Sequence, residues 1–80
     1  MIAKPKVGMD CWIIEDFWEE FYPIPATIIA EKKNGVFLCR LHITEECGEF
    51  YEDVKARELF KTEEKAREAI KKRRRLEEGT

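Results

Sequence analysis

The pair Asn34-Gly35, set between two runs rich in β-branched and apolar residues, constrains this chain more than any other feature. Both central residues of a type I′ turn need positive φ, which asparagine and glycine tolerate best, and the twist of that turn matches two antiparallel strands. Residues 26–43 therefore read as a β-hairpin. With Asn34 and Gly35 as the two central residues, Lys33 faces Val36, Ala30 faces Cys39, Ile28 faces Leu41, Thr27 faces His42 and Ala26 faces Ile43. Ala26, Ile28, Ala30, Cys39 and Leu41 then share one apolar face, as cross-strand packing requires. Thr27, Ile29 and Glu31 form a mixed, half-exposed face with Leu38, Arg40 and His42.

The flanking segments extend this pattern. Residues 7–15 alternate, with Val7, Met9, Cys11 and Ile13 on one side and Asp10, Trp12 and Ile14 on the other, which predicts a strand with one buried face. In residues 16–25, Phe17 with Phe21 and Trp18 with Tyr22 stand four apart, so one helical turn ended by Pro23 would stack them; a long ordered loop is the alternative. Residues 44–48 read as an acidic turn and 49–54 as a fourth strand with Phe50 and Val54 on one side. Residues 55–60 read either as a turn with a final strand or as a lead-in to a helix.

That helix is expected over 62–78. Thr62 supplies an N-cap hydroxyl, and Glu63 and Glu64 suit the positive end of the dipole, although Lys65 leaves the capping box incomplete. Ala66, Ala69, Ile70, Arg73 and Leu76 form one stripe, Glu63 with Arg67 and Glu68 with Lys72 are pairs four apart, and Gly79 is a stop. Residues 1–80 thus form one domain, mainly β with one C-terminal α-helix (α+β): a β part over 7–60, then the helix.

Val7-Gly8 followed by Trp12, the Asn-Gly hairpin, and the segment Leu59-Phe60-Lys61-Thr62-Glu63-Glu64-Lys65-Ala66 leading into a helix resemble small bacterial and phage proteins built as SH3-like barrels with a C-terminal helix. The resemblance implies a small SH3-like antiparallel barrel and a phage or prophage origin; the strands read as such a barrel or as a strongly bent antiparallel sheet, of four to five strands. It implies no activity and no cofactor. The Ala-Leu-Tyr-Asp-Tyr motif of eukaryotic peptide-binding SH3 domains is missing, which argues against proline-rich ligands.

Composition narrows the function. A core drawn from 80 residues supplies only a few kcal/mol, so a small binding module is favoured over a catalytic apparatus with a large cavity. No stretch approaches the ~20 apolar residues of a membrane span, and the opening residues carry no secretion signal, so the reading is cytoplasmic. Three cysteines are an odd number for a disulfide framework, and reduced thiols are expected. The chain has no serine and one histidine, which excludes Ser-His catalysis. Cys11, Cys39, His42 and Cys47 are the only Cys3His set, but Cys39 and His42 are an odd number apart on a strand and so face opposite ways. No catalytic residue, metal or cofactor is expected.

The net charge of −2 conceals a division: residues 1–60 sum to −5 and residues 61–80 to +3. Four of nine aromatic residues, Phe17, Trp18, Phe21 and Tyr22, fall within six positions among Asp16, Glu19 and Glu20. Either the rings cap the core or Trp18 and Tyr22 stay exposed as anchors, the residue types of interface hot spots. The second reading makes Trp12, Phe17, Trp18, Glu19, Glu20 and Tyr22 a protein-binding surface. An alternative uses the acids Asp10, Glu15, Asp16, Glu19, Glu20, Glu45, Glu46, Glu49, Glu52 and Asp53 as a phosphate decoy, inhibiting a host nucleic-acid enzyme such as a CRISPR effector. A third reading places nucleic acid on Lys71, Lys72, Arg74 and Arg75, although the charges of residues 71–75 surround the helix axis. The chain is then a monomer or a homodimer.

Overall fold

The computed structural model describes Ile2, residues 4–43 and residues 50–78, with side chains as far as Arg75. The expected acidic turn at 44–48, Cys47, Glu45, Glu46 and Glu49, the side chain of Leu76 and the stop at Gly79 lie outside the described residues.

Four antiparallel strands form one sheet in the order β1-β2-β3-β4: β1 (Asp10–Phe17), β2 (Glu20–Glu31), β3 (Val36–Leu41) and β4 (Phe50–Lys55). A 3-10 turn (Ala56–Glu58) follows, then helix α1 (Glu63–Glu78). The expectation of a mainly β domain with a C-terminal helix holds. Of the expected barrel or strongly bent sheet, the strands form one open sheet that is not closed into a barrel. Among the described residues, β1 meets the segment after the 3-10 turn through a single pair, in which Trp12 and Phe60 exchange both backbone hydrogen bonds at 2.8 Å.

Gly35 and Asn34 hold positive φ, 80° and 36°, and the Val36 N–H donates to the Lys33 carbonyl at 2.8 Å, so the expected turn is present. The register differs. Ala26 pairs with Leu41 and Ile28 with Cys39, two positions from the expected partners, after an irregularity between Ile28 and Ala30. A shift of two preserves the side each residue faces, so Ala26, Ile28, Cys39 and Leu41 are buried together as expected. Cys11, Ile13, Phe37, Val54 and Leu59 complete that core with Ile2. Val7 is exposed, contrary to expectation, because Gly8 at φ 93° breaks the alternation and β1 starts only at Asp10.

The helical turn expected in residues 16–25 is replaced by strand. β1 runs on to Phe17, residues 18–19 make a two-residue turn, and Pro23 and Pro25 lie inside β2. Trp12 spends its backbone groups on Phe60, so its partner Pro25 turns its own toward β3. Pro25 accepts from the His42 N–H at 2.9 Å just past β3 and lacks only the return donor, and Pro23 lies beyond the residues of β2 that pair with β3. Residues 12–17, paired with 20–25, consequently run on past the end of β3 as a two-stranded arm.

The helix packs on the face opposite the core. Alternation places Phe21 and Pro23 there, and Ala66 and Ile70 are buried against the sheet, with Ala69 half-buried. Thr62 caps α1, its Oγ1 accepting from the Lys65 N–H at 3.2 Å, and Arg67 pairs with Glu63 at 2.9 Å. Thr62→Ala is expected to lower stability by about 1 kcal/mol, read as a shifted urea midpoint with an unchanged slope.

Candidate functional site

The tip of the β1–β2 arm is built against local preference. Trp18 and Glu19 sit at φ 55° and 67°, the left-handed conformation that asparagine and glycine adopt readily and that costs other residues about 1 kcal/mol or more each. Trp18 is 94% exposed. Behind it Phe17 and Tyr22 expose about two-fifths of their surface, with ring centroids 6.2 Å apart, and the Tyr22 hydroxyl donates to Glu20 at 3.3 Å. Asp16, Glu19 and Glu20 are exposed around them. The site is therefore an acidic aromatic knob on a projecting arm.

Of the residues expected to bind a partner, the fold brings together Phe17, Trp18, Glu19, Glu20 and Tyr22. Trp12 stands apart. It lies six residues back along β1, about 20 Å of strand, half-buried in a shallow depression with Pro25, Arg40 and His42. In that depression the Thr27 hydroxyl donates to Asp10 at 3.0 Å and lies 2.7 Å from His42 Nε2.

Beside the arm, a groove of about 350 Å³ separates β2 from α1, lined by Glu20, Phe21, Tyr22 and Pro23 on one wall and Arg67, Ile70, Lys71 and Arg74 on the other. Arg73 is turned away from it and lies 5.8 Å from the Phe21 ring centroid, a cation–π contact. Lys72 and Arg75 are exposed but do not line the groove. Thus two of the four cations expected to contact nucleic acid converge, joined by Arg67. The spacing of four and three between Arg67, Lys71 and Arg74 carried that signal in the sequence.

Sequence reasoning missed a second feature. Glu15 of β1 and Glu52 of β4 belong to the outer strands of the sheet, yet their side chains hydrogen-bond, so the sheet curls until its edges approach. A cavity of about 130 Å³ lies along this seam, with Asp53, Glu58 and Arg73 also on its wall. Burial, reinforced by the Glu52 carboxylate, pushes the Glu15 carboxyl up to about 8. The two residues stand 37 positions apart, and only the curl unites them.

The two described cysteines are core residues. Cys11 and Cys39 are buried and free, their thiols hydrogen-bonded, and that bond together with burial pushes the Cys11 thiol up. His42 is exposed on the opposite face from Cys39.

Comparison with protein-family models, curated proteins and solved structures finds no match. Among the described residues, no helix is long and apolar enough to cross a membrane.

Proposed function

We propose that this chain is a non-catalytic protein-binding module that uses the tip of its β1–β2 arm. One observation carries the reading: Trp18, a large apolar side chain, is 94% exposed on a backbone conformation that tryptophan disfavours. Strain retained at an exposed position points to function, because a turn of Asn-Gly would fold more readily there. Tryptophan and tyrosine are the residues whose desolvation most often dominates an interface. The flanking acids Asp16, Glu19 and Glu20 favour a partner whose apolar pocket has a basic rim.

The reading of the fold as a small SH3-like barrel is supported by the 3-10 turn after β4 and by the Trp12–Phe60 pair, which returns the chain to β1.

The double variant Trp18→Asn/Glu19→Gly separates folding from function. It is expected to raise stability by about 1 kcal/mol, by relieving left-handed strain, and to abolish partner capture in affinity pull-downs from the source cell. Retention of every captured protein by the stabilised variant would overturn the reading.

A further inference from the structure

The knob and the groove are complementary to one another, and they are adjacent. Asp16 and Glu19 on the tip have no ion-pair partner among the described residues, and neither do Lys71 and Arg74 in the groove. The groove floor supplies Pro23 and Ile70, apolar surface beside those cations.

From the tip to Pro23 the arm advances about 13–17 Å, and Arg67 to Arg74 covers about 10 Å of helix. One copy cannot place its own tip in its own groove, because both lie on the same arm. A second copy, turned about a two-fold axis near Glu20, can exchange tips, since a two-fold contact requires one surface that carries both halves of a complementary pair.

We infer that two copies of this chain associate in this way, each seating Trp18 in the partner's groove between β2 and α1. Glu19 and Asp16 of each copy then meet Lys71 and Arg74 of the other. This rests on the arm being the binding element, and it names the partner as a second copy. The arrangement covers the exposed tryptophan and neutralises both unpaired sets of charge. Single-stranded nucleic acid is the competing occupant of a groove with cations and a tyrosine; the acids at the rim and the overall charge of −2 oppose it.

Sedimentation of the full chain with a reductant present, from micromolar to millimolar concentration and at low and high salt, tests the inference. The expected species has twice the 9.5 kDa mass of one chain and weakens as salt rises. Trp18→Ala, and separately Lys71→Glu/Arg74→Glu, should each weaken association on the order of 30-fold or more, the loss expected of an interface anchor. All three positions are exposed, so thermal melts of the variants should match the parent at dilutions where the parent is monomeric.

Mixing the two variants gives the decisive readout. Each alone retains no intact contact, whereas a mixed pair retains one, so mixing should restore association between them. A parent chain that stays monomeric throughout, or a dimer indifferent to both variants, would overturn the inference. A monomer that binds a labelled single-stranded oligonucleotide, lost in Lys71→Glu/Arg74→Glu, would overturn it in favour of nucleic acid. A monomer whose Trp18→Asn/Glu19→Gly variant still loses its captured proteins would overturn only the two-fold pairing and leave the arm as a binding element. Loss of neither self-association nor capture would remove both.

Discussion

Leu59→Ala is expected to destabilise the protein by about 3 kcal/mol, the loss typical of emptying a fully buried leucine site. Leu59 has no exposed surface, and it sits between the 3-10 turn and Phe60. Its backbone is held at both groups, the N–H donating to Ala56 at 3.2 Å and the carbonyl accepting from Ile2 at 3.0 Å. The side chain is therefore the plug that presses the return segment against the core, and the Trp12–Phe60 pair depends on it. A chain of 80 residues commands roughly 4–12 kcal/mol in total, so the variant surrenders a large share. Urea unfolding measures the global loss. Hydrogen exchange locates it: the Trp12 and Phe60 amides should lose protection more than those of β2 and β3. If those two amides exchange freely in the parent chain, the single contact that returns the segment to β1 is not formed.

The second large effect concerns the seam. Glu15 takes up its proton near pH 8 when folded and near 4.5 when unfolded, so between those values the folded state holds more protons. Its contribution to stability is complete below pH 4.5 and is lost as pH rises through 8. Glu52, Asp53 and Glu58 line the same cavity with negative charge, offset by Arg73 on its wall and by Lys32, which pairs with Asp53 at 3.2 Å. Glu15→Gln keeps a neutral donor toward Glu52, so it should match the parent at pH 4 and exceed it at pH 9. Allowing for water at a half-buried carboxyl, the gain is about 2 kcal/mol, or roughly 10 °C in melting temperature for a domain of this size. Melting curves of both proteins from pH 4 to 9 provide the check. A difference constant across that range would show that Glu15 does not titrate as the curled sheet requires.

Both effects arise where distant segments meet, and this explains what was legible beforehand. The hairpin at Asn34-Gly35, the buried face of Ala26, Ile28, Cys39 and Leu41, and the cap at Thr62 followed from local chemistry, because turn geometry, alternation and capping each involve residues a few positions apart. The turn at residues 18–19 was not legible. Trp18-Glu19 carries none of the residues that announce positive φ, and the spacing of the four aromatics imitates a helical turn. Cross-strand pairing of Asp16 with Phe21 and Glu15 with Tyr22 overrode that local signal. The pattern behind the groove was present in the sequence as Arg67, Lys71 and Arg74, but its opposite wall comes from β2, and no spacing rule links the two.

The sequence by itself therefore determined the buried face shared by Cys11, Ile13, Ala26, Ile28, Cys39 and Leu41, though not the exposure of Val7 or the burial of Leu59, where the 34–35 turn and the helix begin, and that acidic and basic halves are segregated along the chain. These are properties of short range, set by side-chain volume, φ preference and charge. Tertiary structure alone decided that the curled sheet stays open, that Glu15 meets Glu52, that Trp18 stands at the end of a projecting arm, and that a groove of opposite charge lies beside it. Each depends on how far β2 outruns β3 and on the single return contact at Phe60, and such lengths and closures are settled only when the whole chain packs.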